Sequence, residues 1–400
     1  MLMDIRFTTL KHRIDSLTVF SDIKNDDVIQ KLRGVISAAE KGDTGEAIKS
    51  YSAFLSAMYP VTSDLTEYIR TLIMQNENFY VKAKASGKDI SDEIISAADQ
   101  ELDMLTEIAS LDPEIFTSAM DYDGFLPVWT CHPCDLKKDF NEKLSNISKN
   151  GYGIFAKYEF FRLDDKGSIV PVAHPDCQSI DSLYGYERER SLIIKNTKAL
   201  LSGTGASNML LYGDAGTGKS STVKAAAKHF APEGLRMVEI KKNQLYMIPQ
   251  IMEELASNPL KFILFIDDLS FNGNDDNFSA LKATLEGSIS GRGSNVAIYA
   301  TSNRRHLVKE NMSDRDGDEL HVNDTIQETM SLAARFGLTV TFQKPDKDSY
   351  LSIVRSLADQ YGIDMDEDEL FRKAEAHALR SNGRSPRTAK QFIELLKIGI

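Results

Sequence analysis

The stretch Gly213-Asp-Ala-Gly-Thr-Gly-Lys219-Ser220 constrains this chain more than any other. It has the form G-x-x-x-x-G-K-[ST]. It follows the apolar run Met209-Leu-Leu-Tyr212 and leads into Ser221-Thr-Val-Lys-Ala-Ala-Ala-Lys-His-Phe230, an alanine-rich helical pattern. A buried strand that feeds a glycine turn and then a helix N-terminus aims backbone N–H groups and the positive end of a helix dipole at anionic oxygens. Gly213, Gly216 and Gly218 let the backbone approach phosphates with no Cβ in the way. Asp214, Ala215, Thr217 and Ser221 complete the cradle. Lys219 is positioned to reach terminal phosphates, and the Ser220 hydroxyl to ligate Mg²⁺. The expected ligands are a nucleoside triphosphate and Mg²⁺.

Two later strands supply the rest of that chemistry. Leu260-Lys-Phe-Ile-Leu-Phe-Ile266 is nearly continuous in apolar residues, as befits a central parallel strand covered on both faces, and it ends in Asp267-Asp268. Carboxylates at that edge lie where the metal of a phosphate-loop sheet sits, so Asp267 is expected to hold Mg²⁺ and Asp268 to orient or deprotonate the attacking water. Val296-Ala-Ile-Tyr-Ala300 then ends in Thr301-Ser302-Asn303. The Asn303 amide can bond the γ-phosphate and the lytic water together.

Around this kernel the chain divides by pattern. Residues 1–150 form a helical N-terminal region with apolar stripes at helical spacing. One runs Val28, Ile29, Leu32, Val35, Ile36, Ala39; another Ile48, Tyr51, Phe54, Leu55, Met58; a third Ile94, Ile95, Ala98, Leu102, Leu105, Ile108. Asp64-Leu-Thr-Glu67 has the form of a capping box. Residues 151–178 read as a strand-like aromatic segment, Gly151 to Leu163, and a linker marked by Pro171 and Pro175. Residues 179–345 alternate strands and helices, including helices around Phe278–Ile289 and Thr325–Phe336. Residues 346–400 are helical throughout. The class is α/β, a parallel sheet with a C-terminal helical subdomain.

Charge bears on partners. Residues 1–178 carry 19 Lys and Arg against 29 Asp and Glu, while residues 179–400 carry 28 against 30. So acidic a first half suits a protein partner better than the phosphates of nucleic acid, although a local basic patch on the second half leaves nucleic acid open. No window approaches the roughly 18 apolar residues of a membrane span. The opening Met-Leu-Met-Asp-Ile-Arg-Phe lacks a secretion signal, and three cysteines make no disulfide scaffold, so a cytoplasmic protein is expected. Cys131-His-Pro-Cys134 has the spacing of a redox pair, or of half a zinc site completed by His174 and Cys177. It lacks the βαβ setting of the first and has an unusually long separation for the second. The cysteines are read as incidental.

Phosphate loop, apolar strand with paired acids and strand ending in Asn, in that order, resemble an AAA+ ATPase. The fold this implies is an AAA+ P-loop sheet with residues 346–400 as its lid. More narrowly, Asp181-Ser-Leu-Tyr-Gly-Tyr-Glu187, Asn208-Met-Leu-Leu-Tyr-Gly213, Phe265-Ile-Asp-Asp-Leu-Ser-Phe271 and Tyr299-Ala-Thr-Ser-Asn-Arg-Arg-His306 resemble a bacterial AAA+ family catalogued as a domain of unknown function. The likeness covers residues ~150–400 well and the N-terminal region poorly. It implies that Leu183, Tyr184 and Gly185, within Ile180–Glu187, border the adenine. It also implies that Arg335 is an arginine finger reaching a neighbouring subunit, which requires a homo-oligomer, and that Arg387 is a lid arginine sensing nucleotide, with Arg384 its rival. The implied ligand is ATP with Mg²⁺, and the implied activity its hydrolysis, coupled to remodelling or switching of a partner held by the N-terminal helices. Two departures matter. Asp268 stands where most AAA+ proteins have Glu, which favours slow hydrolysis and a loader or adaptor role. Tyr246-Met247-Ile248 also lacks the glycine of a peptide-threading loop. A P-loop kinase fits less well because of the lid and Asn303.

Overall fold

A computed structural model describes residues 2–269, 281–285, 295–303, 334–381 and 383–399, and the chain divides into two units, Met1–Lys157 and Tyr158–Ile400. In the first unit, short polar residues fix where helices begin. Asp26, Asp43, Asn78 and Asp135 accept hydrogen bonds from first-turn N–H groups and so open Asp27–Lys41, Thr44–Met58, Phe79–Ala85 and Leu136–Ser145. Asp64 does the same for Leu65–Gln75, accepting from Glu67 N, but the expected reciprocal half of a capping box is replaced: the Asp64 N–H donates to Thr62 Oγ1 at 3.1 Å. The apolar stripes turn inward, with Leu32, Tyr51, Phe54, Leu102 and Ile108 all buried, while Ala39, Ile48, Ile94 and Ile95 lie at the margin. Trp129 anchors this core. Its ring meets Tyr51 at 5.5 Å, Phe54 at 5.2 Å and Phe116 at 5.8 Å, and its indole N–H donates to Leu111 O.

The second unit is built on a seven-stranded sheet ordered β2-β1-β4-β5-β6-β3-β7. Its strands are β1 Phe160–Leu163, β2 Ile169–Pro171, β3 Met209–Gly213, β4 Leu235–Glu239, β5 Lys261–Ile266, β6 Val296–Asn303 and β7 Leu338–Phe342. Among the described residues only the β1–β2 pair is antiparallel. The stretch expected to be strand-like, Gly151 to Leu163, is strand only at its end, and the stretch read as a linker carries β2. Ile154–Lys157 is a helical turn, the strand is confined to Phe160–Leu163, and both β1 and β2 extend the sheet, with β1 parallel to β4. Among the described residues, helix covers 281–285 of the expected Phe278–Ile289 and 334–335 of Thr325–Phe336, where Phe336 is already outside the helix; the rest of each stretch lies outside the described residues.

Every residue of β5 after Lys261 is buried, as its apolar run requires. Tyr299 locks β6 to the helix Glu187–Ser202: its buried phenol lies 2.9 Å from Asn196 Nδ2 and 3.1 Å from Thr197 Oγ1. The chain passes from β3 to β4, beyond β5 on one side, and from β3's neighbour β6 to β7, beyond β3 on the other, so the adjacent strands β3 and β6 are followed in opposite directions across the sheet. The loop after such a strand opens at a switch point of the sheet, where ligands of α/β proteins bind. The C-terminal helices Lys347–Tyr361, Glu367–Arg380 and Pro386–Lys397 enclose a small core of their own around Tyr350, Val354, Ala374 and Ile393.

Candidate functional site

The loop after β3 is shaped by what it touches. A Cβ on Gly213, whose φ is +145°, would stand 2.0 Å from Phe342 O, and Asp214 N donates to that same carbonyl at 3.0 Å. Only glycine permits this approach of β3 to β7. Thr217 Oγ1 closes the turn onto Asp214 O at 2.8 Å, and Gly218, with φ +90°, caps the helix Lys219–Phe230. Ala215 and Ser221 are exposed. Asp214 also accepts from Lys344 N at 3.1 Å, which ties the loop to the chain leaving β7.

Lys219 is buried, with 7% of its surface exposed. Its ammonium donates to Gly213 O at 3.0 Å, Asp214 O at 2.7 Å and Asn303 Oδ1 at 3.0 Å. Burial pulls its pKa below the usual lysine value, against the opposing pull of Asp214, Asp268 and Asp267. Ser220 Oγ donates to Asp267 Oδ1 at 2.5 Å. A hydroxyl and a carboxylate oxygen thus converge from the helix start and the end of β5, a donor set that fits a hard cation completed by phosphate oxygens. Asn303 Nδ2 donates to Asp268 Oδ1 at 2.8 Å, so one amide links Lys219 to Asp268. Lys219, Ser220, Asp267, Asp268 and Asn303, drawn from three separated segments, are brought to one place.

Asp268 has φ +51°, in the left-handed region that few residues other than glycine adopt. Thr301, which drew no attention in the sequence beyond closing a strand, is 2% exposed and bonds to both acids. Its significance depends on that turn, for which Asp-Asp after an apolar strand gives no signal.

The lid comes to the loop through the start of Pro386–Lys397. Arg387 N donates to Gly216 O at 3.2 Å, and a Cβ on Gly216 would lie 3.2 Å from Ser385 Oγ and 3.3 Å from Arg387 Cβ. Arg384 points elsewhere, forming a two-pronged pair with Glu375 at 2.9 and 2.6 Å. Ser385 was overlooked in the sequence, although Ser before Pro is a recognisable helix start. Leu183, Tyr184 and Gly185 line a cavity bounded by Thr217, Gly218 and Ile353, so the segment expected to border adenine meets both loop and lid. Arg335 is half-buried beside β7. Among the described residues no group of three or more His, Cys, Asp or Glu could hold a metal, and Cys177 instead donates to Lys224 O at 3.1 Å. Among the same residues no helix is long and apolar enough to cross a membrane.

Residues 156–399 match the model of a family described as a protein of unknown function, DUF815. The chain belongs to the DUF815 family. No curated relative matches it. Among solved structures, this DUF815 chain is similar to the Thermotoga maritima RuvB Holliday junction branch migration motor. The identity is 15% and the TM-score 0.38, over 55% of this chain and 64% of that one. It is similar too to a replication initiator DnaA bound to AMPPCP and single-stranded DNA, at 16% identity and a TM-score of 0.38, over 55% and 65% of the two chains. The chain spans less than two thirds of either structure. In the DUF815 chain itself, the parallel sheet, the loop after β3, the acids ending β5, the asparagine ending β6 and the helical lid together make the AAA+ P-loop fold.

Proposed function

We propose that the second unit binds ATP with Mg²⁺ and hydrolyses it slowly, and that the resulting change remodels or switches a protein held by the helical first unit. The observation that carries this reading is the convergence of Lys219, the Ser220–Asp267 pair and the Asp268–Asn303 pair at the C-terminal edge of β3, β5 and β6. Ser220 and Asp267 would hold Mg²⁺, which would neutralise charge on the β- and γ-phosphates. Lys219 would bind the terminal phosphates and Asn303 would orient water. Hydrolysis then transfers the γ-phosphoryl group to that water: its oxygen bonds to phosphorus, its proton passes to Asp268, and the bond to the β-phosphate oxygen breaks. Positioning and charge stabilisation account for most of such a reaction.

A loader or adaptor in which nucleotide sets conformation and turnover is incidental draws support from Asp268, whose short side chain is already engaged by Asn303. Support for a protein partner comes from the first unit. Phe125, Val61 and Val128 are 86%, 69% and 59% exposed, and Tyr59 Oη donates to Val128 O at 2.7 Å, drawing two of the segments that carry them together. Clustered apolar exposure of this kind marks interaction surfaces.

Arg335 acts in trans in this reading, so active sites form between subunits. Phosphate release per chain should rise with protein concentration. Arg335→Ala chains mixed with Lys219→Ala chains should regain activity that neither has alone, since one keeps the site and the other the finger. Concentration-independent turnover, with no recovery in mixtures, would make Arg335 structural.

A further inference from the structure

Asp268 reaches the site through a backbone turn that something must hold. Its carboxylate is one methylene shorter than glutamate, and its φ of +51° bends the chain immediately after β5. The residue is exposed, so packing does not impose that conformation. Hydrogen bonds from β6 converge on the turn. Thr301 Oγ1 accepts from Asp268 N at 2.9 Å and donates to Asp267 Oδ1 at 2.6 Å. Thr301 O accepts from Leu269 N at 2.7 Å, and Ser302 Oγ donates to Leu269 O at 2.8 Å. A hydroxyl has one proton to give and lone pairs to receive, so Thr301 engages the Asp268 amide and the Asp267 carboxylate at once, adding to the 3.2 Å bond from that amide to Asp267 Oδ1. Valine has the same shape and can do neither.

We infer that Thr301 is a positioning residue for nucleotide hydrolysis, holding the left-handed turn that lets a short aspartate face Asn303 while keeping Asp267 aimed at Ser220. This rests on the ATPase reading above. Thr301 acts through both acids, and the turn it holds is what brings a side chain shorter than glutamate to the same place.

The test compares wild type, Thr301→Val and Thr301→Ser for ATP affinity, kcat with Mg²⁺ and thermal midpoint. Thr301→Val should keep nucleotide affinity within about threefold, since Lys219 and the loop are untouched, and should lose at least about tenfold in kcat, less than the ~10²-fold minimum for removing a general base because Asp268 itself remains. Thr301→Ser keeps the hydroxyl and should restore kcat to within about threefold of wild type. If Thr301→Val does not fold, Thr301→Ala is read by the same criteria. Wild-type turnover in a valine or alanine variant would overturn the inference and leave the ATPase reading standing, as would equal losses in the valine and serine variants. A wild-type chain that binds ATP without turning it over would instead overturn the ATPase reading itself, and the role of Thr301 with it.

Discussion

Asp268→Asn separates binding from chemistry because it removes one charge and almost nothing else. Asparagine has the same shape and tolerates the left-handed backbone found at φ +51°. Its amide oxygen can still accept from Asn303 Nδ2, a bond of 2.8 Å here. The cost to folding is the difference between a charge-assisted and a neutral hydrogen bond at an exposed position, about 1 kcal/mol or less. In a unit of this size that lowers the thermal midpoint by no more than about 4 °C. Nucleotide binding should improve slightly: at roughly 6 Å in a water-like dielectric, removing one negative charge relieves the phosphates of about 0.7 kcal/mol, near threefold in affinity. Turnover should fall between about 10² and 10⁴-fold, the usual worth of a positioned general base. Titration with a fluorescent ATP analogue and a phosphate-release assay read the two effects apart. Affinity and turnover falling together would mean that Asp268 and Asp267 have been given the wrong roles, and turnover within tenfold of wild type would mean that Asp268 is not the base.

Arg387→Ala should weaken ATP affinity or turnover at least severalfold because Arg387 lies against Gly216, whereas Arg384→Ala should change only lid stability through its lost pair with Glu375; titration and melting curves of both distinguish them, and the reverse pattern would transfer the sensing role to Arg384. In the first unit, burial lowers the Lys143 pKa from 10.5 to about 8 while its ammonium donates to Met74 O. The unfolded chain therefore holds the extra proton between those values, and this group makes stability rise as pH climbs from about 8 towards 10.5. Lys143→Met should raise stability at pH 7 by up to about 3 kcal/mol and flatten that rise; a lower midpoint at both pH 7 and pH 9.5 would show that the bond to Met74 outweighs desolvation.

The site was legible where chemistry dictates spacing. The glycines and lysine of the loop, the acids after an apolar run and the asparagine after the next strand stand in segments whose local pattern already named strand or helix. The helical first unit was legible because its stripes bury one face. Lys143 shares such a face with Leu136 and Phe140, so its burial was visible in principle. β1 showed only as the end of a longer strand-like stretch and β2 not at all, because a three- or four-residue strand is defined by its partner, and β1 pairs with residues more than seventy positions away. Choosing between Arg384 and Arg387 needs the direction in which the chain leaves Ser385, a tertiary fact. Thr301 was hidden for a related reason: its hydroxyl matters only once a turn on another strand presents the Asp268 amide to it.

The central claim is that the loop after β3 holds a nucleoside triphosphate through Lys219. Fluorescent-nucleotide titration of Lys219→Ala against wild type tests it most directly, with the thermal midpoint confirming that the variant is folded. Lys219 donates to oxygens of Gly213, Asp214 and Asn303, which hold its ammonium against the loop. Losing that cation should cost at least about 3 kcal/mol of binding, beyond a hundredfold in Kd. An affinity within a few-fold of wild type would contradict the phosphate-loop assignment and everything built on it.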